Sequence, residues 1–227
     1  MLGQLRASGF VRARGQGDIR DINSNSDKWG VVKACLAAGL YPNLARLERE
    51  REGGPQLRTQ RENKVRLHPG AVLATDRSPR ALASLPTDWL LYDEMTRVGR
   101  AAYVRGLTCV SPLAVALFCG PARLPGPGSE VDGAGVGNIY LEESSDSEEE
   151  EVGAGAAAAT LSLDSWTTFR CSHEVSAQVS QLRQKWSSLW LRRLAASVKQ
   201  ARGQEEQDDA VVASLAAVLQ LEEEVMP

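Results

Sequence analysis

The sequence lacks the long apolar segments and the catalytic motifs that identify many protein classes directly. None of its apolar runs approaches the roughly 18–20 residues of a membrane-spanning helix, so we expect no membrane segment among its 227 residues. It has no P-loop, HExxH or GxSxG motif, which argues against ATP hydrolysis and these hydrolase chemistries. The glycine-rich string 133-GAGVGN-138 lies in low-complexity sequence, without the strand and helix that a nucleotide loop needs. We therefore expect it to be linker, and we predict no cofactor.

Soft metal ligands are also scarce. Four cysteines and two histidines are dispersed without CxxC spacing: Cys35, Cys109, Cys119, Cys171, His68 and His173. This dispersion favours buried free thiols over a zinc site or a disulfide framework. Free thiols are typical of a reducing compartment. We predict a cytoplasmic location, with the nucleus as a second compartment.

The two halves of the chain carry opposite charge. Residues 1–123 contain 19 Lys or Arg against 11 Asp or Glu, whereas the remaining 104 residues contain 7 against 18. The net charge of −3 hides this asymmetry between a basic front and an acidic rear.

Helical periodicity marks both ends of the chain. Residues 2–14 are predicted to be the end of a helix, and KWGVVKACLAAGL, with Asn25 or Ser26 as a cap, a short amphipathic helix. The predicted inward residues of the latter are Trp29, Val32, Leu36 and Leu40. Near the C-terminus, apolar residues three and four apart predict one helix from Val175 to about Gln200 and a second from Asp208 to Glu224.

Between these helices the pattern changes to short apolar runs, several of them with period two. Six candidate strands follow one another: NLARL, KVRLH, AVLAT, DWLLYDEMT, AYVRGLTCV and AVALFCG. A charged, irregular stretch with a Gly-Gly-Pro break lies between Asn43 and Val65. The series predicts a small antiparallel barrel or sandwich. With helices on both sides, the predicted fold class is α+β.

The segment 64-KVRLHP-69 is the main candidate for a binding surface. On a strand, three donors share one face while the valine and leucine between them point inward: Lys64, Arg66 and His68. Such a row can follow a phosphate backbone, and the imidazole can add stacking, while the alternative is a solvated basic edge. Three further cations extend the surface if their strands pair with it: Arg97, Arg100 and Arg105.

Asp93 and Glu94 do not form a catalytic pair. Adjacent residues point to opposite faces of a strand and diverge by about 100° on a helix, so the two carboxylates cannot share a substrate. In the same segment Trp89 is predicted to pack in the core, whereas Tyr92 is a candidate for base stacking if its ring is exposed. Three other tryptophans are predicted to pack with the helices: Trp166, Trp186 and Trp190.

Residues 125–159 are rich in Gly, Pro, Ala and acidic residues, and are predicted to be mostly disordered because they bury too little apolar surface. The acidic run 142-EESSDSEEEE-151 is, in the simplest interpretation, a solvated tail. Ser145 and Ser147 each have a Glu three residues downstream, the spacing that acidophilic kinases select. Phosphate added there would compete with a nucleic acid for a basic groove.

Several long blocks together resemble one protein family. KVRLHPGAVL, LPTDWLLYDEMTR, VSPLAVALFCGPARL and LRQKWSSLWLRRL resemble, in this order, the C-terminal accessory region of DEAH/RHA-type ATP-dependent RNA helicases, above all the branch that also carries a YTH domain. The resemblance covers nearly the whole chain. It implies an oligonucleotide/oligosaccharide-binding (OB) barrel over residues 40–124. The end of a helicase-associated helical domain (1–39) precedes it, and a disordered linker (125–160) and a helical appendage (161–227) follow.

The resemblance implies an accessory module. The motor lobes and the YTH module are absent from these residues, so we expect a fragment of a helicase or an isolated paralogue. In the parent protein, the barrel is expected to guide single-stranded RNA to the motor lobes and to support their 3′-to-5′ translocation. The motor lobes are the expected protein partners. The alternative is a module that docks onto helicase lobes or other partners with little direct RNA contact.

Overall fold

The computed structural model describes residues 2–7, 23–49, 54–74, 82–120, 158–164, 166–195 and 205–225. The helices are α1 (Leu2–Ala7), α2 (Trp29–Leu40), α3 (Pro112–Phe118), α4 (His173–Ala195) and α5 (Glu205–Val225), with a 3-10 turn at Val72–Ala74. The strands are β1 (Leu44–Glu48), β2 (Gln56–Thr59), β3 (Val65–Leu67), β4 (Trp89–Leu91), β5 (Glu94–Val98), β6 (Ala101–Arg105), β7 (Thr108–Val110), β8 (Ala158–Ser162) and β9 (Thr168–Ser172). The predicted α+β class, with helices on both sides of a sheet, is confirmed.

Strands β1 to β7 form one sheet with the order β5-β6-β3-β2-β1-β4-β7, and β8 pairs with β9. Neighbouring strands of the large sheet are antiparallel except for β3 and β6, which are parallel. Although β4 and β5 lie toward opposite edges of the sheet, only Tyr92 and Asp93 separate them in the chain. Only Gly106 and Leu107 separate β6 from β7. Strands β4 and β5 are therefore two halves of one segment, and so are β6 and β7. Each segment has one half near each edge of the sheet, so the two edges meet and the sheet closes into a barrel.

The two bends that separate these halves lie against each other. Gly106 has a φ of +63°, and a Cβ added there would lie 2.7 Å from the Asp93 Cβ. The Asp93 amide donates to the Arg105 carbonyl at 3.1 Å, and the Tyr92 amide donates to the Asn43 carbonyl at 3.1 Å. Both the backbone angle and the close approach therefore require glycine at position 106. Because of these bends, DWLLYDEMT and AYVRGLTCV, each predicted as one strand, form two strands each.

Side chains from the strands and their bends fill the barrel interior. The buried residues of this cluster are Ala45, Leu47, Leu57, Val65, Leu90, Tyr92, Ala102 and Val104. On β1, β2, β3 and β6 they alternate with residues that point outward, as period two requires. Strand β2 was not predicted, since it lies in the charged stretch interpreted as irregular. The predicted strand AVLAT instead contains the 3-10 turn.

Helix α3 forms where the strand AVALFCG was predicted. The Ser111 hydroxyl accepts a hydrogen bond from the Ala114 amide at 3.1 Å, and Pro112 occupies the first turn, so the sequence carries a helix start signal. Four consecutive residues of the helix, Ala114 to Leu117, are buried. A short apolar run that is covered on all sides has no visible period, which explains the wrong prediction.

Outside the barrel, Trp89 of β4 joins the sheet to the helices. It is 4% exposed, which confirms its predicted place in a core, and it packs with Ala37 of α2 and Val115 of α3. Its ring centroid lies 5.8 Å from that of Trp166 and 5.3 Å from that of Phe169. The C-terminal region is thus packed against the barrel on the β4 side.

The two predicted C-terminal helices are confirmed as α4 and α5. Val179 and Leu215 are buried with the core of the β8–β9 hairpin and α3. Two residues of α4 differ from the prediction: Val175 and Trp190 are both 46% exposed, and Trp190 stacks on Trp186 with centroids 6.0 Å apart. Strand β8 begins inside the predicted linker 125–160, most of which lies outside the described residues.

The buried face of α2 differs from the one predicted. Its buried residues are Gly30, Ala34 and Ala37, while Trp29 is 65% exposed and Leu36 is 39% exposed. A Cβ added to Gly30 would lie 2.3 Å from the Leu219 carbonyl oxygen, so α5 approaches the backbone of α2 closely. Small side chains permit this approach, and they determine which face is buried. The residue before the helix is Lys28, without a side-chain cap, in place of the predicted Asn25 or Ser26.

Hydrogen bonds between partly buried polar groups connect the two parts of the chain. The Asp164 carboxylate accepts from the Tyr41 hydroxyl and from the amides of Trp166 and Thr167, at 3.1 and 2.7 Å for the two amides. Arg183 Nη1 donates to the Ala116 carbonyl at 2.7 Å. Burial lowers the pKa of Arg183. These contacts fix the C-terminal region to α3 and to the loop after α2.

Glu222 of α5 provides a further link to α3. Its Oε1 accepts a hydrogen bond from the Leu113 amide at 3.1 Å, and its Oε2 is buried. Desolvation, followed by the charge of Glu223, raises the pKa of Glu222. Glu223 itself forms an ion pair with Lys33 of α2.

Among the described helices, none combines the length and apolar character needed to cross a membrane.

The closure of the barrel predicts a difference between two glycine substitutions. Gly99, in the β5–β6 turn, has a φ of +60° but no heavy atom within 4 Å of an added Cβ, so Gly99→Ala should cost only about 1 kcal/mol of backbone strain. Gly106→Ala adds the clash with Asp93 and should lower the free energy of unfolding by about 2–4 kcal/mol. Urea denaturation measures both values, and equal losses would contradict closure through these bends.

The raised pKa of Glu222 predicts a pH-dependent effect of Glu222→Gln. A carboxyl whose folded-state pKa is raised stabilises the fold at low pH and loses that contribution as the pH rises through the folded pKa. The stability of the variant relative to the natural protein should therefore increase from pH 4 to pH 7. Urea denaturation across this range tests it. Glu224→Gln, at an exposed position of the same helix end, is the control for helix-end charge, and an identical pH trend in both variants would refute the assignment.

Candidate nucleic-acid interface

Alternation along β1, β2 and β3 places a row of cations on the outside of the barrel. Arg46 lies opposite Arg58 across the β1–β2 pair, and Leu57 lies opposite Val65 across β2–β3, which brings Arg58 close to Lys64. Because their neighbours point inward, these basic side chains point outward. We call the four residues the basic strip: Arg46, Arg58, Lys64 and Arg66.

Most of the basic strip is available to a ligand. Arg58, Lys64 and Arg66 are exposed, and within the described residues Lys64 and Arg66 form no ion pair. Arg58 Nη1 lies 3.5 Å from Glu48 Oε1, an exposed ion pair of at most about 1 kcal/mol that a stronger anion can replace. Arg46 is partly buried, and its guanidinium lies 5.5 Å from the centroid of the Trp89 ring. Lys64, Arg58 and Arg66 are therefore the positions best placed for an anionic ligand.

The other predicted cations are divided between paired and unpaired positions. Arg97 forms an ion pair with Glu62, and Arg105 forms one with Glu94 on the adjacent strand. Arg100 is exposed in the β5–β6 turn and has no ion-pair partner in the part of the chain that the structure describes. The Arg97–Glu62 pair connects this region of β5 to the β2–β3 connection. Of these three side chains, only Arg100 would bind a ligand without first giving up an ion pair among the described residues.

His68 has a structural contact. It is partly buried just after β3, its amide donates to the Val104 carbonyl at 2.9 Å, and its Nδ1 accepts from the Gly70 amide at 3.0 Å. This hydrogen bond stabilises the turn that follows the strand. One of the two ring nitrogens is therefore already used, and a contact of the imidazole with a nucleic acid stays a prediction.

The expected stacking role of Tyr92 is not compatible with its position. The residue is 5% exposed and belongs to the barrel interior, on the same side of the segment as Leu90 two residues earlier. Burial raises the pKa of Tyr92. An enclosed ring offers no face to a base, so this prediction is corrected.

The sequence prediction missed three outward-facing residues. Arg46 alternates with the inward Ala45 and Leu47, a signal present in NLARL. Arg58 lies on the unpredicted β2. Tyr103 of β6 is partly exposed between two inward residues, Ala102 and Val104, a pattern visible in AAYVRG.

The C-terminal helices lie away from the basic strip. They pack against α2, α3 and the β8–β9 hairpin, on the side of the barrel formed by β4 and β7.

Ser145 and Ser147 lie outside the described residues. Within the described ranges, no group of three or more His, Cys, Asp or Glu side chains is arranged to hold a metal ion. Cys119 is buried, and desolvation raises the pKa of its thiol to about 12, whereas Cys35 is exposed, contrary to the prediction of buried thiols.

Comparison with known proteins agrees with this geometry. Residues 32–122 match the family model described as oligonucleotide/oligosaccharide-binding (OB)-fold. The Drosophila melanogaster protein benign gonial cell neoplasm is 29% identical over 126 residues, which are 55% of this chain and 10% of that protein. The ATP-dependent DNA/RNA helicase DHX36 is 24% identical over 188 residues in Mus musculus and 24% identical over 184 residues in Homo sapiens. These matches cover 82% and 80% of this chain, but 15% of each helicase.

The chain therefore spans only between 10% and 15% of the length of these curated relatives. The short share of a long helicase is consistent with an accessory region, and the predicted resemblance to RNA helicases is confirmed. The match over residues 32–122 coincides with α2, the closed barrel and α3. This part of the chain therefore has an OB fold, and the chain is similar to a short part of DHX36.

Proposed function

We propose that this chain is the RNA-binding OB module of a DEAH-type helicase. It binds single-stranded RNA along the basic strip and guides it to an ATP-dependent motor that these residues do not contain. The observation that carries the proposal is the exposure of Lys64 and Arg66, unpaired within the described residues, beside Arg58. This is the outer face of the second and third strands, which OB folds use for oligonucleotides.

The spacing of the basic strip suits a flexible polyanion. Neighbouring strands lie about 4.8 Å apart, so guanidinium groups on β1, β2 and β3 cover about 10 Å across the sheet. Phosphate contacts of this kind release counterions and give binding that weakens steeply with salt. They are independent of sequence, so the strip itself confers affinity rather than sequence preference.

The relatives support a role in nucleic-acid handling. DHX36 is named an ATP-dependent DNA/RNA helicase, and the chain aligns with 15% of it. In such a parent the module's protein partners would be the motor lobes, and RNA held on the barrel would feed their 3′-to-5′ translocation. RNA rather than DNA, and the direction of movement, belong to this proposal.

A second candidate function is docking onto helicase lobes or other proteins with little RNA contact. The exposed apolar side chains of α2 favour it, since Trp29 is 65% exposed and Leu36 is 39% exposed. The two candidates use different surfaces, and charge reversal on the basic strip separates them.

The double variant Lys64→Glu/Arg66→Glu should bind single-stranded RNA at least about tenfold more weakly at low salt, because two phosphate contacts become repulsive. The slope of log Kd against log salt concentration should also become shallower by about 0.7 for each phosphate that is no longer neutralised. Fluorescence anisotropy with a labelled oligouridine measures both quantities.

The matched control is Arg170→Glu/Lys185→Glu, which changes the net charge equally at exposed positions on β9 and α4. It should retain at least half of the natural affinity, and circular dichroism checks that both variants fold. If both double variants bind RNA equally weakly, the loss of affinity results from the change in net charge and not from the basic strip. No RNA binding by the natural chain at low salt would favour the docking function.

A further inference from the structure

Tyr103 is the middle residue of β6, next to the basic strip. In the β3–β6 pair it is directly opposite Arg66, and in the β5–β6 pair it is directly opposite Thr96. Its neighbours in the chain, Ala102 and Val104, are buried in the barrel, so the Tyr103 ring is directed outward. The ring is partly exposed and belongs to none of the buried clusters of the described residues.

The surroundings of Tyr103 resemble a platform more than a packing site. Thr96 on one side is a small residue that leaves the ring accessible, and Arg66 on the other side is exposed. The Tyr103 hydroxyl makes no hydrogen bond within the described residues. A partly exposed ring on the outer face of a sheet, next to a cation and without a polar partner among the described residues, has the properties of a base-stacking residue.

We propose that Tyr103 stacks on an unpaired base while Arg66 contacts the phosphate of the same or the adjacent nucleotide. This inference rests on the proposed function and adds to it the reason for recognising single strands. A basic strip alone binds any polyanion, whereas a ring can stack only on a base whose face is free. In a duplex, both faces of each internal base are covered by its neighbours, so the platform selects unpaired nucleotides of any base type.

Stacking on Tyr103 gives different affinities for two ligands that the basic strip alone would bind equally well. The natural chain should bind oligouridine more tightly than an oligomer of the same length made of abasic ribose phosphates, since only the former can stack. The expected difference in Kd is about 5- to 150-fold, the range that one stacked base supplies. This comparison needs no substitution and is independent of any effect on folding.

Substitution at Tyr103 provides the second measurement. Tyr103→Ala should raise the Kd for oligouridine by about 5- to 150-fold and leave the Kd for the abasic oligomer unchanged, whereas Tyr103→Phe, which keeps the ring, should bind both ligands as the natural chain does. Urea denaturation checks that the barrel of each variant is intact. Tyr103→Ala should also bind a duplex and a single strand with more similar affinities than the natural chain does.

The outcomes distinguish this inference from the proposed function. If the natural chain binds oligouridine with steep salt dependence but binds the abasic oligomer equally well, the basic strip is the RNA site and the stacking role of Tyr103 is refuted. The same conclusion follows if Tyr103→Ala weakens both ligands equally or neither. If the natural chain binds neither ligand at low salt, both the proposed function and this inference fail.

Discussion

The contact between Gly106 and Asp93 is the constraint on which the rest of the structure depends. It allows two long segments to bend at the same level, so that each segment pairs with different strands before and after its bend. Without these bends β4 and β5 would continue in one direction and the sheet would remain open. Closure directs the aliphatic side chains of β1, β2 and β3 inward, and the outward direction of the basic strip follows from that alternation.

The C-terminal region stabilises the barrel from the opposite side. Helix α3 has the barrel on one side and α4, α5 and the β8–β9 hairpin on the others, so it acts as a shared core for both parts of the chain. Several acidic side chains in this region are matched locally: Asp208 pairs with Arg192 and Arg193, and Glu223 pairs with Lys33. These acids therefore neutralise nearby cations on the helices, while Lys64 and Arg66 remain unpaired within the described residues on the other face.

Local patterns predicted much of this architecture, and long-range contacts account for the rest. The alternation in NLARL, the periodicity of α4 and α5 and the burial of Trp89 are properties of short windows, and they were predicted correctly. The buried face of α2 was predicted wrongly, because it depends on the close approach of Leu219 to Gly30, and these two residues are far apart in the sequence. Tyr92 was considered for an exposed role because neither face of DWLLYDEMT is purely polar, so the sequence does not show which face lines the barrel interior. Arg58 was missed because it lies on an unpredicted strand. Tyr103 was missed because its position beside Arg66 depends on the pairing of β3 with β6.

The most direct test of the central claim is a chemical-shift map of the 24.5 kDa chain during titration with a single-stranded oligouridine. The closed barrel with an outward basic strip predicts shifts concentrated on the amides of β2, β3 and β6, around Arg58, Arg66 and Tyr103, with α4 and α5 nearly unchanged. Shifts concentrated on the C-terminal helices, or on the exposed side of α2, would contradict it.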